Sequence, residues 1–81
     1  MYILYVLKSK TAKKSYVGIT IDLTRRINEH NSGKNFYTKR YCPWNLIYKE
    51  ELSSWGEARK REKYLKSAVG RRFLKKFVFK E

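Results

Sequence analysis

Tyr2-Ile3-Leu4-Tyr5-Val6-Leu7 and Ser15-Tyr16-Val17-Gly18-Ile19-Thr20-Ile21, joined by the lysine-rich stretch 8–14, decide how this chain folds. The first run is apolar almost without a break, yet far shorter than the roughly 20 residues a membrane helix needs. It reads as a strand rather than a signal peptide, since no cleavage pattern follows it. The second run is β-branched and aromatic and reads as the returning strand, with a hairpin connection between the two. Tyr16, Gly18 and Thr20 share one face of it; Ile3, Tyr5 and Leu7 share a face of the first strand. Where the register allows, Tyr5 and Tyr16 become cross-strand neighbours. Gly18 is a poor strand residue, and its expected use is to let another group approach the sheet closely.

Outward from the hairpin, Asp22 is an N-cap for a helix from Leu23 to Asn31, and Gly33 is its stop. A basic, aromatic loop follows from Lys34 to Pro43, then a third strand from Trp44 to Leu52. Ser54 and Glu57 have capping-box spacing and open an amphipathic helix reaching Val69, which Gly70 ends. Arg71 to Phe79 reads as a final short helix with Phe73, Leu74, Phe77 and Val78 inward. The order is ββαβαα. The fold class is α+β, a three-stranded antiparallel sheet flanked by helices, in a single domain over residues 1–81.

Twenty Lys and Arg against seven Asp and Glu give a net charge of +13 in 81 residues. Such a domain repels itself and attracts polyanions, so nucleic acid is the leading partner and an acidic membrane a weaker one. With 42% hydrophobic and 16% aromatic residues the chain carries enough apolar surface to fold. The lone cysteine, Cys42, excludes an internal disulfide, and no Cys/His cluster has zinc spacing. A reducing, cytoplasmic setting is the default expectation.

The long helix carries one misplaced charge. Trp55, Ala58, Leu65 and Val69 recur at steps of three and four, and Glu62 occupies the gap in their stripe. A carboxylate there loses solvation unless a cation, a donor or a metal meets it. A structural ion pair and a metal ligand are both open readings. Arg26 and His30 are i,i+4 neighbours on the first helix, beside Leu23 and Ile27, at the expected border of core and solvent. Singly, each residue has an ordinary explanation: a packed tyrosine, a solvated arginine, a surface histidine.

Together, Ile3-Leu4-Tyr5, Tyr16-Val17-Gly18, Arg26 ten residues after Tyr16, His30, and Glu62 within Glu57–Lys66 resemble the GIY-YIG nuclease superfamily. The likeness is nearest to its small stand-alone bacterial members, which are similar to the N-terminal nuclease domain of the excision-repair subunit UvrC. The family fold agrees with the ββαβαα reading. The resemblance implies that Tyr5 and Tyr16 line the site, one of them orienting or deprotonating the attacking water. It implies that Arg26 holds the scissile phosphate, that His30 assists proton transfer, and that Glu62 is the one protein ligand of Mg2+ or Mn2+. Two departures stand out. The first motif lacks its glycine, and the asparagine that many relatives place after the glutamate helix has no clear counterpart.

Phosphodiester hydrolysis needs an activated water, a neutralised phosphate and a stabilised leaving oxygen. Of the seven carboxylates, the pattern places only Glu62 inward, which favours one metal over two. Magnesium suits few protein ligands because it keeps its waters. The loop residues Lys34, Lys39 and Arg40 interleave with Phe36, Tyr37 and Tyr41 and suit backbone contact and stacking. Lys66, Arg71 and Arg72 form a second expected DNA-binding strip. No base-reading element is visible, so sequence specificity is expected to be weak without a protein partner for targeting; the expected DNA includes branched or damaged forms. The expected function is therefore a metal-dependent DNA endonuclease of repair or processing, with weak turnover in isolation. The alternatives are a nucleic-acid-binding module that does not cut and a ribosome-associated structural protein.

Overall fold

The computed structural model describes residues 1–79, except the side chains of residues 77 and 78. Strand β1 (Tyr2–Ser9) is the centre of the sheet, with β2 (Ser15–Thr20) on one side and β3 (Trp44–Leu52) on the other, in the order β2-β1-β3. Both pairings are antiparallel. The central position explains the unbroken apolar run: Leu4 and Val6 are buried on one face, Tyr5 and Leu7 on the other. The hairpin turn is closed by Ser9. Its Oγ accepts from the backbone N–H groups of Thr11 and Ala12, each at 3.1 Å, and donates to the Tyr41 carbonyl at 2.6 Å.

Helix α1 (Leu23–Asn31) covers the Tyr5/Leu7 face through Leu23 and Ile27. Asp22 caps it by accepting from Arg25 N, and Gly33, at φ +84°, turns the chain away after it. Asn31 ties it to β3: its Oδ1 accepts from Trp44 N at 2.6 Å. A 3-10 turn, Thr38–Tyr41, sits inside the basic loop. Helix α2 (Trp55–Lys66) covers the opposite face, where Leu65 joins Leu4, Val6 and Val17. Burying one such leucine stabilises the fold by about 1.5–3 kcal/mol. Among the described residues, no helix is long and apolar enough to cross a membrane.

The C-terminal part corrects the sequence reading. The helix does not run on to Val69. It ends at Ser67, whose backbone is extended, and a new helix, α3 (Ala68–Phe73), starts there. Ser67 Oγ serves both ends, donating to the Tyr64 carbonyl and accepting from Gly70 N. Gly70 is therefore not a stop but a point of contact. A Cβ on it would lie 1.9 Å from the Tyr64 carbonyl oxygen and 2.5 Å from Leu65 Cα, so α3 crosses the end of α2 only because residue 70 has no side chain. Trp55 and Val69 are half-exposed, and only Ala58, Glu62 and Leu65 of the expected stripe are buried. A π-helical turn, Leu74–Phe79, completes the described chain; Leu74 is buried and Phe73 and Phe79 pack on the same core. The expected inward packing of Phe77 and Val78 lies outside the described side chains.

Candidate active site

The face between β1 and α1 gathers four of the expected site residues. Tyr5 pairs across the sheet with Gly18, not with Tyr16, whose partner is Leu7. The two tyrosines are thus diagonal neighbours, with ring centroids 6.2 Å apart. Gly18 has the use its position suggested: a Cβ there would fall 2.5 Å from the Tyr5 hydroxyl oxygen. Absence of that carbon lets the Tyr5 ring lie across β2 toward α1.

One turn of α1 supplies the partners. Arg26 Nε donates to the Tyr5 oxygen at 3.3 Å, and Arg26 Nη1 donates to Glu29 Oε1 at 3.0 Å. His30 is not at a border with solvent but fully buried. Its Nε2 lies 3.0 Å from the Tyr5 hydroxyl and its Nδ1 lies 2.8 Å from Thr38 Oγ1. Thr38, also fully buried, is held by Trp44 Nε1, which donates to its carbonyl at 2.8 Å. Tyr16 packs against His30 with ring centroids 4.8 Å apart and against Tyr37 at 6.2 Å. Its hydroxyl makes no hydrogen bond among the described residues.

These contacts set the proton positions. Burial, followed by the positive charge of Arg26, pulls the pKa of His30 down to about 4. The imidazole is neutral near pH 7. Because Arg26 donates to the Tyr5 oxygen, the Tyr5 proton points to His30 Nε2, and Nδ1–H donates to Thr38. The tautomer follows from this network rather than from observed hydrogens. Burial raises Tyr5 above the ordinary tyrosine value, outweighing the lowering by its hydrogen bond to Arg26. The same hydrogen bond to Tyr5 raises Arg26 against the cost of partial burial, so the guanidinium stays charged.

A pH dependence follows. The unfolded chain takes up a proton on histidine near pH 6.5, whereas folded His30 does so only near 4. Above pH 6.5 its contribution to stability is fully present. As pH falls from 6.5 to 4, it costs the fold about 3 kcal/mol. His30 is the only histidine, so its NMR titration is unambiguous. A midpoint near 4 is expected; a midpoint near 6.5 would mean that the ring is solvated and the Tyr5–His30 bond is not as described.

Glu62 sits on the other side of the sheet, on the α2 stripe between Ala58 and Leu65, and is 8% exposed. Its carboxylate binds Arg59 through one oxygen and Lys66, at 3.2 Å, through the other. Neither cation is buried. Arg26 pairs with Glu29, so the structure does not join Glu62 to the Tyr5 cluster by any hydrogen bond or ion pair among the described residues. A link of another kind exists. Lys66 lines a cleft of about 390 Å³ together with Tyr16, Tyr37 and Arg71, so the Glu62 partner and the Tyr16 ring share one concavity.

Sequence reasoning missed three partners. Thr38, in the basic loop, was not expected as the group that fixes His30. Glu29 was not expected beside Arg26. Glu50 is a second partly buried carboxylate, bound by Arg61 Nε at 2.9 Å and by the Tyr48 hydroxyl at 2.5 Å. Its signal was the i,i+2 spacing that puts Tyr48 and Glu50 on one strand face. Among the described residues, no three or more His, Cys, Asp or Glu converge as a metal cage. The expected binding residues Lys34, Lys39, Arg40, Lys66, Arg71 and Arg72 are all exposed. Phe36 is exposed under Lys39 and Arg40, at 5.7 and 5.5 Å from its ring.

Tyr5, Tyr16, Arg26 and His30 thus gather on one face of the sheet, with Glu62 on the other. Residues 1–76 match the GIY-YIG catalytic domain, and the chain belongs to that family. It is 39% identical over 72 residues to UPF0213 protein SH2523 of Staphylococcus haemolyticus, covering 88% of this chain and 87% of that protein. UPF0213 protein SAG0778 of Streptococcus agalactiae is 42% identical over 52 residues, and the match spans 63% of this chain but only 59% of that relative. The solution NMR structure of the UPF0213 protein BH0048 from Bacillus halodurans is similar, with a TM-score of 0.55 and 33% identity over 90% of this chain and 80% of that one.

Proposed function

We propose that this protein is a metal-dependent endonuclease that hydrolyses DNA phosphodiester bonds in repair or processing. The observation that carries the reading is the Arg26–Tyr5–His30–Thr38 chain of hydrogen bonds, a fixed cation and an ordered proton path around one phenol. Arg26 offers planar donors that neutralise the scissile phosphate. Tyr5 is committed on both sides, accepting from Arg26 and donating to His30, and its raised pKa keeps its proton. It therefore orients rather than deprotonates. Tyr16, with its hydroxyl uncommitted among the described residues and its ring in the cleft, is the tyrosine that meets the attacking water. His30, neutral and anchored by Thr38, accepts the hydrogen bond of the Tyr5 hydroxyl and holds the phenol in place.

Glu62 fits a single-carboxylate site. It is nearly buried, and its two partners are half-exposed cations that an ion of higher charge displaces. Magnesium tolerates such a site because water and phosphate oxygens complete its shell. When bound, Mg2+ or Mn2+ supplies Lewis-acid charge to the phosphate. The test is metal removal: the purified chain is incubated with nicked, branched and single-stranded DNA, with Mg2+ or Mn2+ and then with excess chelator. Cleavage that stops on chelation is the expected result; cleavage that persists contradicts a metal requirement.

A second reading, a DNA-binding module that does not cut, is favoured by one fact: both Glu62 oxygens already hold cations. It predicts salt-sensitive binding with no cleavage of any substrate.

A further inference from the structure

We infer that a basic cleft between the hairpin turn and the end of α3 holds the DNA backbone next to the scissile phosphate, extending the Tyr16 cleft into one continuous track. This rests on the DNA-cleavage reading above. The cleft has a volume of about 510 Å³ and is walled by Lys13 and Lys14 from the turn and by Arg71 and Lys75 from the C-terminal segment, over a floor that includes Leu74. It shares Ser15, Arg71 and Leu74 with the cleft that contains Tyr16, Tyr37 and Lys66. Arg71 therefore faces both concavities. Among the described residues, no carboxylate lines either one.

Cations converging on a cleft that no carboxylate lines among the described residues repel one another, and a concave wall focuses their field on whatever enters. A chain of phosphates relieves that repulsion at several points at once; a single small anion relieves it at one. The surface is also built to stay put. Ser9 locks the turn that carries Lys13 and Lys14, and the Lys14 ammonium lies 5.7 Å from the Tyr41 ring. Tyr41 stacks on Tyr37, and Tyr37 on Tyr16, so an unbroken file of rings ties the basic turn to the candidate site. The hairpin lysines, which the sequence presented only as a polar connection, thus become the nearest cations along a strand leaving Tyr16.

The experiment measures binding of labelled single-stranded and nicked DNA by anisotropy at several salt concentrations, without divalent metal. The variant is Lys13→Glu/Lys14→Glu/Lys75→Glu. Its charge-matched control is Lys49→Glu/Lys60→Glu/Lys63→Glu, exposed positions on β3 and α2. Removing three phosphate contacts lowers the salt slope by about 2 for single strands. The cleft variant is expected to lose at least tenfold more affinity than the control and to show that smaller slope. A Lys→Gln version of the cleft variant, with intact circular dichroism, gives the same ordering if misfolding affects the charge reversal. Equal losses in cleft variant and control overturn the track while leaving the nuclease reading in place. No DNA binding by the unmodified chain overturns both.

Discussion

Replacing Arg26 by alanine is expected to abolish DNA cleavage, lowering kcat/KM by about 10²–10³-fold, the usual cost of one charge-stabilising donor in a transition state. Arg26 is one-third exposed and His30 still holds the Tyr5 hydroxyl, so the melting temperature should stay within a few degrees of the parent. Two losses combine in the variant. The phosphate loses a planar cation, and the Tyr5 oxygen loses the donor that orients its proton toward His30. Arg26→Lys separates them: it restores charge but not the Nε–H geometry, and should recover only part of the rate. An unchanged rate in Arg26→Ala would remove arginine from the chemistry. A collapse of folding would make its role structural. Steady-state cleavage and thermal unfolding on the same preparations decide between these outcomes.

The largest stability effect is expected at Gly70. An alanine there puts a methyl group 1.9 Å from the Tyr64 carbonyl, against backbone at the end of α2 that no side-chain rotation clears. Helix α3 must lift off, and with it Leu74 and the packing of Phe73 on the Leu4/Val6 core. The cost should exceed about 3 kcal/mol, a large part of the roughly 5–15 kcal/mol that holds a domain together. In a domain of this size that lowers Tm by at least about 12 °C. Thermal unfolding measures it, and a Tm within about 3 °C of the parent would mean that the two helices do not cross as described.

That glycine also shows where the sequence stopped being legible. The hairpin was readable because β1 is buried on both faces and says so in an apolar run. Asp22 and Ser54 were readable because capping is local chemistry. Gly18 was readable from strand parity. Gly70 was not: a glycine after a helical stripe looks like a stop, and its close approach to Tyr64 and Leu65 exists only after the chain has turned at Ser67. Glu62 was readable as an odd buried charge, but its partners were not. Arg59 and Lys66 stand three and four residues away, among several other cations of the same helix. His30 needed Thr38 from the basic loop and Trp44 from the start of β3 to become a buried, neutral ring, and no local pattern announces that.

The assignment of roles therefore rests on two halves that meet along the Tyr16 cleft: an ordered cluster around Tyr5 on one face of the sheet, and Glu62 with Lys66 on the other. In the function we propose, a divalent ion held by Glu62 joins them. The most direct measurement is cleavage of nicked and branched DNA in Mn2+ by the parent chain and by Glu62→Gln, which keeps the side-chain shape and removes the charge. Metal-dependent cutting by the parent, lost in Glu62→Gln while DNA binding is retained, is the predicted result. Undiminished cutting by Glu62→Gln, or no cutting of any substrate by the parent, would contradict it.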